Sequence, residues 1–148
     1  MQPRHFALIV GILFLAVGVM GFVPGLVQPP PAGAPGVTVH ANHGYLMGLF
    51  PINVLHNVVH LAVGALGLAA FFGLLSARLY ARGLAIFYGL LAVMGLIPVA
   101  NTTFGLIPIH GHDIWLHAGT AAVAAYFGWA TRDVAADAGA RHPVGGTT

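Results

Sequence analysis

Two pairs of residues at helical spacing carry the chemistry available to this chain. His56 and His60 are four residues apart, and so are Asp113 and His117. On a helix, side chains four apart stand on one face, about one turn from each other. A His-x-x-x-His face set against an Asp-x-x-x-His face offers three imidazoles and a carboxylate, a donor set suited to Zn, Fe, Mn or Cu. His56, His60, Asp113 and His117 are therefore the candidate metal ligands. Asn53, Asn57 and Thr120 fall near the same stripes and are candidate partners for fixing the imidazole tautomers.

Other uses of the same groups stay open. The side chains could hydrogen-bond one another and hold helices in register, as polar groups between membrane helices do at about 0.6–2 kcal/mol each. A b-type haem would take His60 and His117 as its axial pair, although the additional His and Asp on these faces suit a bare ion better than a macrocycle. A proton relay is the remaining alternative. Asp113 beside a bound metal could serve as a base in a hydrolase or oxidase, but nothing in the sequence requires an enzyme. His40, His43, His110 and His112 form an outer layer, either a way in for a cation, a second site or plain solvated side chains. His5 and His142 read as incidental.

Composition says what must position these residues. Of 148 residues, Lys and Arg number 5 and Asp and Glu 3, while 58% are hydrophobic, a balance that makes hydrocarbon the main solvent. The arginines are scattered singly, so the net charge of +2 implies no nucleic-acid partner. Cysteine is absent, which excludes disulfides, thiolate metal sites and covalent haem attachment. Apolar runs near 6–27, 51–75, 84–100 and 113–131 are each about long enough to cross a bilayer. The expected fold is thus an all-α integral membrane four-helix bundle, residues 1–131, with a Pro- and Gly-rich external loop at 28–48 and a disordered cytoplasmic tail at 132–148. A cleaved signal peptide over 1–34 is the competing reading of the first run.

Arg4, Arg78, Arg82, Arg132 and Arg141 all fall at the N-terminus, in the second connection or in the tail. Retention of positive charge in the cytoplasm then puts both termini there and the first and third connections outside. His56, His60, Asp113 and His117 would sit toward that outer side.

The chain also repeats itself. GLFPINVLHNVVH at 48–60 aligns without gaps on GLIPIHGHDIWLH at 105–117, and VMGFVP at 19–24 matches VMGLIP at 93–98. Two helical hairpins of the same topology would be related by a pseudo-twofold axis along the membrane normal, bringing His56 opposite Asp113 and His60 opposite His117. Gly18, Gly21, Gly64 and Gly67 are small residues that let helices approach.

The pattern carried by Pro51, Asn53, His56, Asn57 and His60, and then by Gly111, His112, Asp113, Leu116 and His117, resembles the bacterial membrane proteins of domain-of-unknown-function family 4383. The likeness runs from the first span through the fourth and is weakest over 28–42. It implies a multi-pass protein of a bacterial inner (cytoplasmic) membrane and brings no activity with it. The bilayer is the expected partner, with a homodimer or another membrane protein as open additions.

Overall fold

The computed structural model describes residues 1–131, so the expectations for 132–148, with Arg132, Arg141 and His142, lie outside the described residues. Four helices carry more than half of the described residues. Helix α1 spans Pro3–Met20, with Pro at its first position, where no amide N–H is needed. Helix α2, Val54–Phe71, starts at Asn53, whose side-chain oxygen accepts from the His56 N–H at 3.0 Å. Helix α3, Ala77–Gly95, is capped by Ser76, which accepts from the Leu79 N–H at 3.2 Å. Helix α4, His112–Ala125, follows Gly111 at φ 66° and runs on into a π-helical turn, Tyr126–Ala130.

Helices α1, α2 and α3 are each long and apolar enough to cross a membrane, and they mark the chain as a membrane protein. The run from α4 through the π turn extends ~28 Å at 1.5 Å per residue. Their outward faces are apolar: Ile9, Ile12, Leu66, Ile86, Leu90 and Val123 are all exposed.

Element bounds shift from those expected, for local reasons. The first helix stops at Met20 instead of 27, and Pro24 opens a 3-10 turn, Pro24–Leu26. The third begins at Ala77 instead of 84, because Ser76 supplies a cap and Arg78 and Arg82 ride on its first turns. The region expected as loop, with Val27 from the end of the expected first span and Pro51 and Ile52 from the start of the expected second, builds a small antiparallel sheet in the order β1-β2-β3: β1 (Val27–Gln28), β2 (Gly44–Leu46) and β3 (Phe50–Ile52). Val27 pairs with Leu46, and Gly44 with Ile52. Met47 (φ 53°) and Gly48 (φ 73°) turn the β2–β3 hairpin, the backbone that a tight hairpin of this hand requires.

Helix α1 packs on α2, and α3 on α4, with α3 also touching α1 and α2. The first pair closes through glycine: a Cβ on Gly67 would lie 2.8 Å from the Ala7 carbonyl oxygen, and one on Gly11 would lie 3.0 Å from that of Gly64. Between the pairs lies a core of Phe6, Tyr80, Leu84, Tyr88 and Phe127, with Phe6 stacked on Phe127 at 4.7 Å. At the end of the molecule away from the sheet, Arg4 donates to the Phe71 carbonyl (2.6 Å) and Arg82 to that of Gly128 (2.8 Å). These bonds satisfy carbonyls left open where α2 and the π turn end.

Candidate metal centre

The first turns of α2 and α4 bring His56, Asp113 and His117 together. One ligand atom from each lies within 4.8 Å of the others, and all three residues are buried. Ligands on one tetrahedral ion stand about 3.3 Å apart when the metal–ligand distance is ~2.0–2.1 Å. Shifts of roughly an ångström, within reach of rotamer adjustment, would therefore close the set.

His56 is oriented by its own helix entrance. Its Nδ1 is 3.1 Å from the Pro51 carbonyl oxygen and 3.9 Å from Asp113 Oδ2. With the proton on Nδ1 donated to Pro51, Nε2 carries the lone pair, the arrangement in which a backbone acceptor sets the tautomer of a ligating imidazole. Asp113 Oδ2 and His117 Nδ1 are sealed from solvent with no protein partner.

His60 stands beside this group and not in it. Its ring lies against His56 (centroids 4.5 Å apart) and Phe14 (5.4 Å), and its Nδ1 is likewise sealed without a partner. A cavity of about 30 Å³ is lined by His56, His60 and His117, together with Tyr88, Thr103 and Ile109. That volume holds an ion or a water. It does not hold a macrocycle, and the Phe14 and Tyr88 rings, 5.1 Å apart, fill the space beside His60 and His117. The residues therefore do not fit the haem alternative.

Tyr88 is the participant that sequence reasoning passed over. Its ring meets His117 edge-on at 5.1 Å, and its hydroxyl is sealed without a partner on the same cavity. The available signal was positional: by the offset that matches 19–24 to 93–98, Tyr88 corresponds to Phe14, and each covers the buried histidine of its own helix pair.

The asparagines divide. Asn53 caps α2 and donates its amide to the Leu106 carbonyl (2.7 Å) and the Val39 carbonyl (3.2 Å), tying both loops of this end to the helix that carries His56. Thr38 adds a second tie, its N–H to the Gly105 carbonyl at 2.8 Å. Asn57 is turned away toward α1, where a Cβ on Gly21 would overlap its amide. Thr120 lies on a groove between α1 and α4 that also reaches His60.

The outer histidines sit above. His40 and His43 have ring centroids 6.5 Å apart, His110 lies against Tyr45 at 6.2 Å, and exposed His112 meets Phe50. Burial lowers the pKa of His43, with the charge of His40 adding to the effect. Burial also lowers that of His110, helped by His43. Burial raises the Tyr45 pKa, with a smaller contribution from Asp113. Among the described residues, the only group of three or more potential ligands close enough to share an ion is His56, Asp113 and His117.

No curated protein and no solved structure matches the chain. A family profile described as Domain of unknown function (DUF4383) matches residues 4–130, spanning all four helices and both faces of the centre, and the chain belongs to that family.

Proposed function

We propose that this membrane protein binds a first-row transition-metal ion through His56, Asp113 and His117, with His60 and Tyr88 as the adjoining walls of the site. The observation that carries the reading is the setting of Asp113. It is the only carboxylate side chain among the described residues, it is 2% exposed, and one of its oxygens has no partner. Arg4 and Arg82 are engaged at the opposite ends of the helices, and Arg78 belongs to the first turn of α3. A buried carboxylate without a counter-charge is costly, and a divalent cation beside two imidazoles supplies that charge. When bound, such an ion would act as a Lewis acid or redox centre.

A purely structural polar network is less well supported, because its members leave their polar atoms unpaired. Asn57, His60, His117 and Asp113 each have a sealed atom without a partner, whereas a network serving only to hold helices together works by pairing them.

The arrangement also supports two helical hairpins related by a pseudo-twofold axis. Residues offset by 57 behave alike: Pro51 and Pro108 are both fully buried, Phe71 and Gly128 both receive an arginine, and His60 and His117 both carry an aromatic ring from the preceding helix. Gly21 faces Asn57 as Gly95 faces Ile114. With the arginine end in the cytoplasm of a bacterial cell, the centre lies toward the outer face of the inner membrane, beneath His40, His43, His110 and His112.

The test is elemental analysis of detergent-purified protein. Near-stoichiometric metal in the wild type that is lost in both Asp113→Asn and His117→Ala supports the reading. A stable, metal-free wild type after growth and purification in metal-supplemented medium sinks it.

A further inference from the structure

Two large grooves open between the helix pairs, and they differ in one chemical respect. The groove between α2 and α3, about 400 Å³, is lined by Val63, Leu66, Leu79, Leu84 and Phe87, and its one hydroxyl, that of Tyr80, is committed to the Val63 carbonyl at 3.2 Å. The groove between α1 and α4, about 450 Å³, is lined by Phe14, Val17, Trp115 and Gly119, and also by His60 and Thr120. His60 walls both this groove and the small cavity of the metal centre. The residue is 4% exposed, and its Nδ1 is sealed without a partner.

We infer that the α1–α4 groove binds a lipid-soluble molecule bearing a ring carbonyl, of the quinone class. A lipid acyl chain suits the first groove, where every wall is apolar or already paired. In the second it would leave the imidazole facing hydrocarbon. A carbonyl oxygen accepts from that imidazole, a flat ring lies between Phe14 and Trp115, and an alkyl tail follows Leu13, Val17 and Val123 toward the bilayer. The volume is in the range of small-molecule sites, and a few convergent polar groups on apolar walls are what fix a ligand's orientation. This extends the proposed metal centre by naming a molecule that reaches its His60 wall, but the binding does not require the ion.

The test uses decylubiquinone and the full chain in detergent, on a Trp129→Phe background that leaves Trp115 as the one tryptophan of the two. Saturable quenching of Trp115 is expected. Gly119→Leu fills the groove from a position where a Cβ meets nothing within 4 Å, so it should fold with an unchanged melting profile and lose saturable quenching. His60→Phe should weaken binding about tenfold. Quenching that only tracks the quinone-to-detergent ratio, or that is unchanged in Gly119→Leu, overturns the inference. Metal is assayed in the same samples: saturable quenching of metal-free protein supports the groove while removing the metal reading, and metal-bearing protein without saturable quenching removes the groove alone.

Discussion

His56 Nδ1 lies 3.9 Å from Asp113 Oδ2, yet its nearer polar neighbour is the Pro51 carbonyl at 3.1 Å. The imidazole is held by backbone and leaves the carboxylate unanswered. The two residues fall at matched positions when residues 48–60 are laid on 105–117, with a base on one helix and an acid on the other. On the proposed metal reading, that asymmetry is what draws a cation to the pair of faces.

Chelation should therefore destabilise the wild type and not the Asp113→Asn variant. An ion at about 100 times its Kd stabilises the folded state by ~2.7 kcal/mol, which chelation removes. Thermal unfolding with and without chelator measures this. Equal chelator shifts in the two proteins would mean that the ion is bound elsewhere.

Asn53→Ala should act at a distance on the centre. The change removes the α2 cap, worth roughly 1 kcal/mol, and the two hydrogen bonds that the side-chain NH2 donates to the carbonyls of residues 39 and 106 over the helix entrance. Faster hydrogen exchange in both loops is expected, with a roughly 10–100-fold loss of metal affinity because His56 is no longer held. Unchanged exchange at 105–107 would show that the tie is not structural.

The helices and the polar faces were legible because hydrocarbon imposes simple rules. Four apolar runs and matched Pro, Gly and His are enough to expect His56, Asp113 and His117 on facing elements. What was not legible depends on local hydrogen bonding. Ser76 extends α3 upstream through two arginines, and a hairpin at Met47 and Gly48 makes sheet out of expected loop and the start of the expected second span. His60 stands beside the three residues whose ligand atoms lie within 4.8 Å of one another, with its ring against Phe14 and His56, a packing fact that spacing on one helix does not contain.

Gly67→Leu should disrupt the α1–α2 pair, unlike Gly119→Leu. Its Cβ would meet the Ala7 carbonyl, Gly11 and the Tyr80 hydroxyl at 2.8–2.9 Å, mostly rigid backbone. Overpacking of this kind costs roughly 1–3 kcal/mol. A lowered melting midpoint for Gly67→Leu, with Gly119→Leu near wild type, is the expected contrast. A reversed order would contradict the close helix approach.

Acidification should loosen the loop layer through His43 and His110. Both have folded pKa values lowered from the ordinary value of about 6.5, by burial first and then by a neighbouring histidine, His40 for His43 and His43 for His110. As pH falls through about 6.5 the unfolded chain takes up protons before the folded one does. The resulting loss of stability begins there and levels off below the lowered folded values. Tyr45, the other titratable ring against His110, stays neutral throughout this window, since its pKa is raised. Thermal midpoints measured from pH 8 to pH 5 should thus fall more steeply for the wild type than for the His43→Gln/His110→Gln double variant. Parallel curves for the two would place the acid sensitivity outside this layer.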